Sequence, residues 1–188
     1  MANDRPQLRG TILSEDRRHE RFLRELLVSL GFRKIRFRFE TAPLGGGDAG
    51  AWVRARYPSE VNLLRQKRHQ RLALISMRDG DNQGWVSRKD DLDLTLTEAG
   101  LARREQRELI VNLVPTWSIE TWLLALLGED PIDETVPRKR EFERAYRGRL
   151  EDEALRNAVD LWHTRADQIA SVPSLADSKT EMRRIGVG

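Results

Sequence analysis

The chain has 188 residues, enough for one sheet with flanking helices around a single core and too few for two full domains. It contains no cysteine, which excludes a disulfide framework, a thiolate zinc site and a cysteine nucleophile, and it carries 33 Lys/Arg against 30 Asp/Glu, a net charge too small to argue for a polyanion partner by itself. No run approaches the roughly 18 apolar residues of a membrane span and the first ten residues lack the apolar core of a secretory signal, so no membrane partner and a cytoplasmic location are expected. The charge is unevenly spread: residues 1–78 hold 17 Lys/Arg against 8 Asp/Glu, and the remainder 16 against 22. That asymmetry suggests a basic surface beside an acidic site, although solvated faces of an arginine-rich chain would look the same.

Residues 10–14 (GTILS) read as a short strand, followed by a polar turn and a helix over residues 20–30, where Phe22, Leu23, Leu26, Leu27 and Leu30 recur at helical spacing. Gly31 is placed to cap that helix. Residues 34–40 (KIRFRFE) alternate apolar and charged positions, as an edge strand with one wet face does. A glycine-rich loop over residues 43–50 lacks the Lys-Ser/Thr of a phosphate-binding loop, and a flexible cover is the better reading of it. A helix is expected from Ser59 to about Arg68, entered through Pro58. Residues 71–77 (RLALISM) are a buried strand, residues 88–104 a polar helical stretch, and residues 108–114 (ELIVNLV) another buried strand stopped by Pro115. Ser118 is a plausible N-cap for a helix over residues 119–127. Two charged helical patterns, residues 138–149 and 151–170, precede Pro173 and a short basic end. Strands alternating with helices define an α/β class with a mostly parallel, Rossmann-like sheet. The expected organisation is a metal-binding unit over residues 1–128 with a helical C-terminal extension, residues 129–188, packed on the same domain.

Parallel sheets place functional residues beyond the carboxyl ends of their strands. Glu15 follows the first strand, and Asp79 and Asp81 follow the third, separated by Gly80, which would let the backbone turn sharply. Carboxylates from separate positions suit a hard cation such as Mg²⁺, or Mn²⁺, which takes oxygen ligands and keeps several waters. The competing reading of Asp-Gly-Asp is an ordinary turn.

These residues carry a resemblance. Leu13-Ser14-Glu15 with the helix containing Phe22-Leu23, together with Asp79-Gly80-Asp81-Asn82-Gln83-Gly84, resembles the first two motifs of the Toprim domain, and Val114 to Leu123 is similar to the strand-to-helix segment of its nuclease branch. The resemblance spans about residues 10–127. It implies a Toprim-like fold, a metal site of Glu15, Asp79, Asp81 and Glu120 that is also the catalytic site, and Mg²⁺-dependent hydrolysis of phosphodiester bonds in DNA or RNA, as in overcoming-lysogenization-defect nucleases and effectors of phage defence. The alternative it implies is a noncatalytic subunit regulated by, or regulating, a partner ATPase. The chain departs from the family's pattern at Asp16 and His19, where glycine and aspartate are common. Asp16 is then either an added ligand or the cap of the helix beginning near Arg17; His19 has acid–base and ligand chemistry to offer, but the residues alone do not assign it to the site. Glu20 reads as a surface helix carboxylate.

The segment containing Arg54, Arg56, Arg65, Lys67, Arg68 and Arg71 is the candidate nucleic-acid contact, since such residues hold a phosphate backbone without reading sequence. A solvated helix face is the competing reading.

Overall fold

A computed structural model of the chain describes residues 8–45, 47–81, 83–129 and 131–186; Gly46 of the glycine-rich loop and Asn82 of the acidic segment lie outside the described residues. Four strands, β1 (Arg9–Ser14), β2 (Phe37–Thr41), β3 (Leu72–Met77) and β4 (Ile110–Leu113), pair in parallel in the order β2-β1-β3-β4. Among the described residues seven helices accompany them: α1 (Arg17–Ser29), α2 (Ala49–Gln66), α3 (Gly84–Glu98), α4 (Ile119–Leu127), α5 (Lys139–Ala145), α6 (Arg149–Arg165) and α7 (Pro173–Met182). The α/β class with a parallel sheet and a helical C-terminal end is therefore present.

Side chains alternate across the strands and sort the core into two layers. Ile12, Ile75, Met77, Val111 and Leu113 join residues of α1, α4 and α6, among them Phe22, Trp122 and Trp162. Leu13, Leu74 and Ile110 join Val53, Tyr57 and Val61 of α2 and Leu92 and Leu96 of α3. With both faces covered, β3 and β4 have no wet side, which is why they read as continuous apolar runs.

The register pairs Ile12 with both Phe39 and Ile75. The chain leaves β1 through α1 toward β2 on one side, and leaves β3 through α3 toward β4 on the other. The connections therefore diverge between the carboxyl ends of β1 and β3, the place where a parallel sheet opens a crevice.

Several elements differ from the sequence reading. Residues 34–36 form one 3-10 turn, and β2, an edge strand as expected, begins only at Phe37. The helix expected to begin at Ser59 runs from Ala49, with Pro58 in its interior. Val53, Tyr57, Glu60, Val61 and Leu64 lie on one buried face of it, and that burial outweighs the hydrogen bond that Pro58 cannot donate. Helix α3 starts at Gly84 and ends at Glu98 rather than spanning residues 88–104. The end of the chain carries a third helix, α7, with Pro173 in its first turn, where a missing N–H costs nothing.

The C-terminal helices pack on the sheet. Leu155, Ala158, Val159 and Trp162 of α6 enter the same cluster as α1 and α4. Glu181 of α7 accepts the outward backbone N–H of Asn112 on β4 (3.1 Å) and is held by Lys89 and Arg104, so the open edge of the sheet is closed by a side chain.

Candidate metal centre

The site grows from the ends of β1 and β3. Glu15 continues β1, its N–H bonded to the Met77 carbonyl of β3 at 3.3 Å, and its Oε2 accepts the backbone N–H of Asp79 at 3.0 Å. Asp16 caps α1 by accepting the His19 N–H at 2.8 Å, which starts the helix so that His19 faces inward. The His19 side chain is fully buried and its Nε2–H donates to Asp79 Oδ1 at 2.9 Å. The same Asp79 oxygen accepts the Ile119 N–H at the start of α4 (3.2 Å), so the positive end of that helix also faces it. One ligand atom each from Glu15, His19 and Asp79 lies within 4.8 Å of the others.

Charge is concentrated here. Burial pushes the Glu15 carboxyl up to about 7, against the pull of His19, the Asp79 N–H and Arg78. His19 goes to about 10: burial alone would lower it, but Asp79, Asp16 and Glu15 together hold the imidazolium. Burial also raises Asp79, opposed by His19. The cluster therefore favours the charged form of His19 while burial opposes ionisation of Glu15 and Asp79. Repulsion between the Glu15 and Asp79 carboxyls is offset in part by His19, a cation that the protein itself supplies.

Behind Glu15 stands a second layer. Arg78, almost wholly buried, places Nε 3.4 Å from Glu15 Oε1 and donates from Nη1 to Asp91 at 2.9 Å, while Arg54 approaches the same Asp91 oxygen at 3.2 Å. Gly50 in the first turn of α2 packs closely on this layer: a Cβ there would sit 2.8 Å from Glu15 Oε1 and 3.0 Å from Arg78 Nη2, so those side-chain ends would have to shift. Gly80 has a similar reason, different from the sharp turn expected of it. A Cβ on Gly80 would run into the Thr116 and Pro115 carbonyls, where the loop before α4 crosses the loop after β3. It is Asp81 that takes the left-handed conformation (φ 49°), which aspartate tolerates better than most residues.

Of the four carboxylates expected to share a metal, two converge. Asp81 is turned outward, about half exposed, and pairs with Arg88 at 2.9 Å. Glu120 is buried on Arg18, which also holds Glu151 at 3.0 Å. The place of those two is taken by His19, Arg78 and Gly50. Arg78 and Gly50 carry no local signal in the sequence. His19 did carry one: with Phe22, Leu23 and Leu26 it forms the 3–4 spacing that defines the buried face of α1.

The cluster borders a cleft of about 470 Å³ at the carboxyl edge of β1 and β2, lined by Glu15, Asp16, Arg17, Glu20, Thr41 and the loop through Leu44. Three carboxylates face one guanidinium there, so an anionic substrate would need bridging cations. The two carboxylates are oxygen donors of the kind that suit Mg²⁺ or Mn²⁺, and ligation by His19 would require its ring to give up a proton. The second nitrogen of His19, Nδ1, is buried without a hydrogen-bond partner.

The basic segment divides. Arg54 belongs to the layer behind Glu15, Arg56 pairs with Glu40 at 2.6 Å, and Arg65 binds Glu108 through Nε at 2.7 Å. Lys67, Arg68 and Arg71 precede β3 and so lie at the amino edge of the sheet, roughly 20 Å from the acidic cluster across one six-residue strand.

Fold and site together define a parallel α/β chain with a buried carboxylate–imidazole cluster at the divergence of its strand connections. Comparison of the chain with protein-family models, with curated proteins and with solved structures finds no match. Among the described residues no helix is long and apolar enough to cross a membrane.

Proposed function

We propose that this chain is a divalent-metal-dependent phosphodiesterase acting on nucleic acid, with Glu15 and Asp79 as metal-holding carboxylates and His19 as their partner. The observation that carries the reading is the convergence of Glu15, His19 and Asp79 at the carboxyl edge between β1 and β3. The resemblance of the Glu15 and Asp79 loops to Toprim motifs supports it independently of the geometry.

A bound divalent cation would supply charge neutralisation for the phosphate and acidify a water. The chain's own part is positional. The Ile119 N–H and His19 Nε2–H fix one oxygen of Asp79, and the other would serve a cation held together with Glu15. Glu15, fixed by the Asp79 N–H and backed by Arg78, would orient the attacking water, whose proton passes to solvent as the new P–O bond forms. The leaving oxygen departs as the old P–O bond breaks and takes its proton from solvent.

The test is cleavage of pooled DNA and RNA by purified protein with chelator, Mg²⁺ or Mn²⁺, in wild type and in Asp79→Asn and Glu120→Gln. Asp79→Asn is expected to lower the metal-dependent rate at least 100-fold. Glu120→Gln, removed from the cluster by its Arg18 pair, is expected to change the rate less than its stability. Wild-type cleavage by Asp79→Asn would refute the site. Metal binding without any cleavage would favour the noncatalytic, partner-regulated reading instead.

A further inference from the structure

The amino edge of the sheet holds a second feature that the acidic cluster leaves unused. Between the C-terminal end of α2 and the starts of β3 and β4 lies a cavity of about 680 Å³, larger than the cleft beside Glu15 and within the range of small-molecule pockets. Its floor is apolar, made by Leu64, Leu72 and Leu109. Four arginines and two glutamates line it, and two of those arginines are spoken for. Arg65 is clamped by both oxygens of Glu108 and by the carbonyls of Ala102 and Arg103, and Arg107 pairs with Glu105 at 2.7 Å. Arg68 and Arg71 are exposed and have no hydrogen-bond or ion-pair partner among the described residues.

Arg71 also occupies a backbone conformation that disfavours it. It ends the 3-10 turn Arg68–Gln70 at φ 45° and ψ 54°, in the left-handed region where glycine or asparagine is the ordinary occupant. A strained arginine with no partner, at the mouth of a cavity, is the pattern of a ligand clamp. Guanidinium groups match phosphate oxygens in geometry and charge, and a leucine floor matches a planar ring.

We infer that this cavity binds a free nucleotide, its phosphates held by Arg68 and Arg71 and its base laid on Leu64, Leu72 and Leu109. The scaffold is prepared for it, because the Arg65–Glu108 clamp fixes the wall without using the two free cations. The site is separate from the carboxyl edge and does not depend on the metal reading.

The experiment is calorimetric titration of the intact protein, in the presence of chelator, with adenosine diphosphate, inorganic phosphate and a twelve-nucleotide single strand. Adenosine diphosphate is expected to bind at least tenfold tighter than phosphate. Arg68→Gln and Arg71→Gln should each weaken it at least tenfold, and Asp79→Asn should leave it unchanged. Arg71→Gly provides a reading that a purely structural residue would not give: its melting midpoint without ligand should equal or exceed that of wild type, because the backbone strain is removed, while nucleotide affinity falls. Absence of binding at millimolar nucleotide, equal affinity for phosphate and nucleotide, or unchanged affinity in the arginine variants would overturn the inference. So would binding of the oligonucleotide alone, which would make the cavity part of a nucleic-acid groove.

Discussion

His19 shows how one residue changes the energetics of the whole cluster. Its folded value, about 10, lies above the ordinary 6.5, so its favourable contribution is complete below about pH 6.5 and disappears as pH rises through about 10. Glu15 acts in the same sense over a lower window: raised from 4.5 to about 7, its ionised form is disfavoured in the folded state, and stability falls as pH rises between those values. Replacing His19 by Asn leaves buried carboxylates without their cation, a loss on the order of 3 kcal/mol at pH 7. Urea unfolding of wild type and His19→Asn in chelator, at pH 7, 8.5 and 10, should show that difference shrinking toward pH 10. An equal difference at all three would mean that His19 is a neutral packing residue. The variant should also regain part of its stability on addition of Mn²⁺, which restores positive charge at the same place.

Among the elements, α2 carries the clearest conflict between local preference and tertiary demand. Proline in a helix interior is about 3 kcal/mol worse than alanine, yet Pro58 sits in the middle of α2, between the buried Tyr57 and Glu60. Pro58→Ala is expected to stabilise the protein by about 1 kcal/mol or more, since it restores a donor without touching Val53, Tyr57 or Val61. Chemical denaturation measures this, and a destabilised variant would show that the helix is shaped around the proline. Helix α4 makes the complementary point. Ile119 and Glu120 both lie in its first turn; the backbone N–H of the first serves Asp79, while the carboxylate of the second turns to Arg18. A first-turn acid was legible, but the element it would face was not.

At the scale of the molecule, the C-terminal helices are part of the core rather than an appendage. Glu181 satisfies Asn112 on β4 and neutralises Lys89 and Arg104, all from positions distant in the chain. Glu181→Leu should cost about 3 kcal/mol by removing the main acceptor of Arg104 and the partner of the Asn112 N–H, although Lys89 keeps Asp177. Thermal melts give the size of the loss; a variant as stable as wild type would show that solvent reaches that edge. The charge asymmetry noted in the sequence also has a spatial form: the acidic cluster stands at the carboxyl edge of the sheet, and Arg68 and Arg71 stand at its amino edge.

The alternation of strands and helices through α4, the buried character of β3 and β4, and the placement of Glu15 and Asp79 at strand ends were readable from the sequence, because they follow from short-range periodicity and from the rule that loops end strands; helix α7 was not. Periodicity acts over a few residues and leaves its mark in the local pattern of apolar side chains. The partners of the charged groups were decided only by the tertiary structure. Arg18 meets Glu120 across 102 positions, His19 meets Asp79 across 60, and Asp79 meets Glu15 across 64. Which carboxylate finds a cation and which one turns to solvent depends on what packing brings within a few ångströms, and no local pattern records that distance.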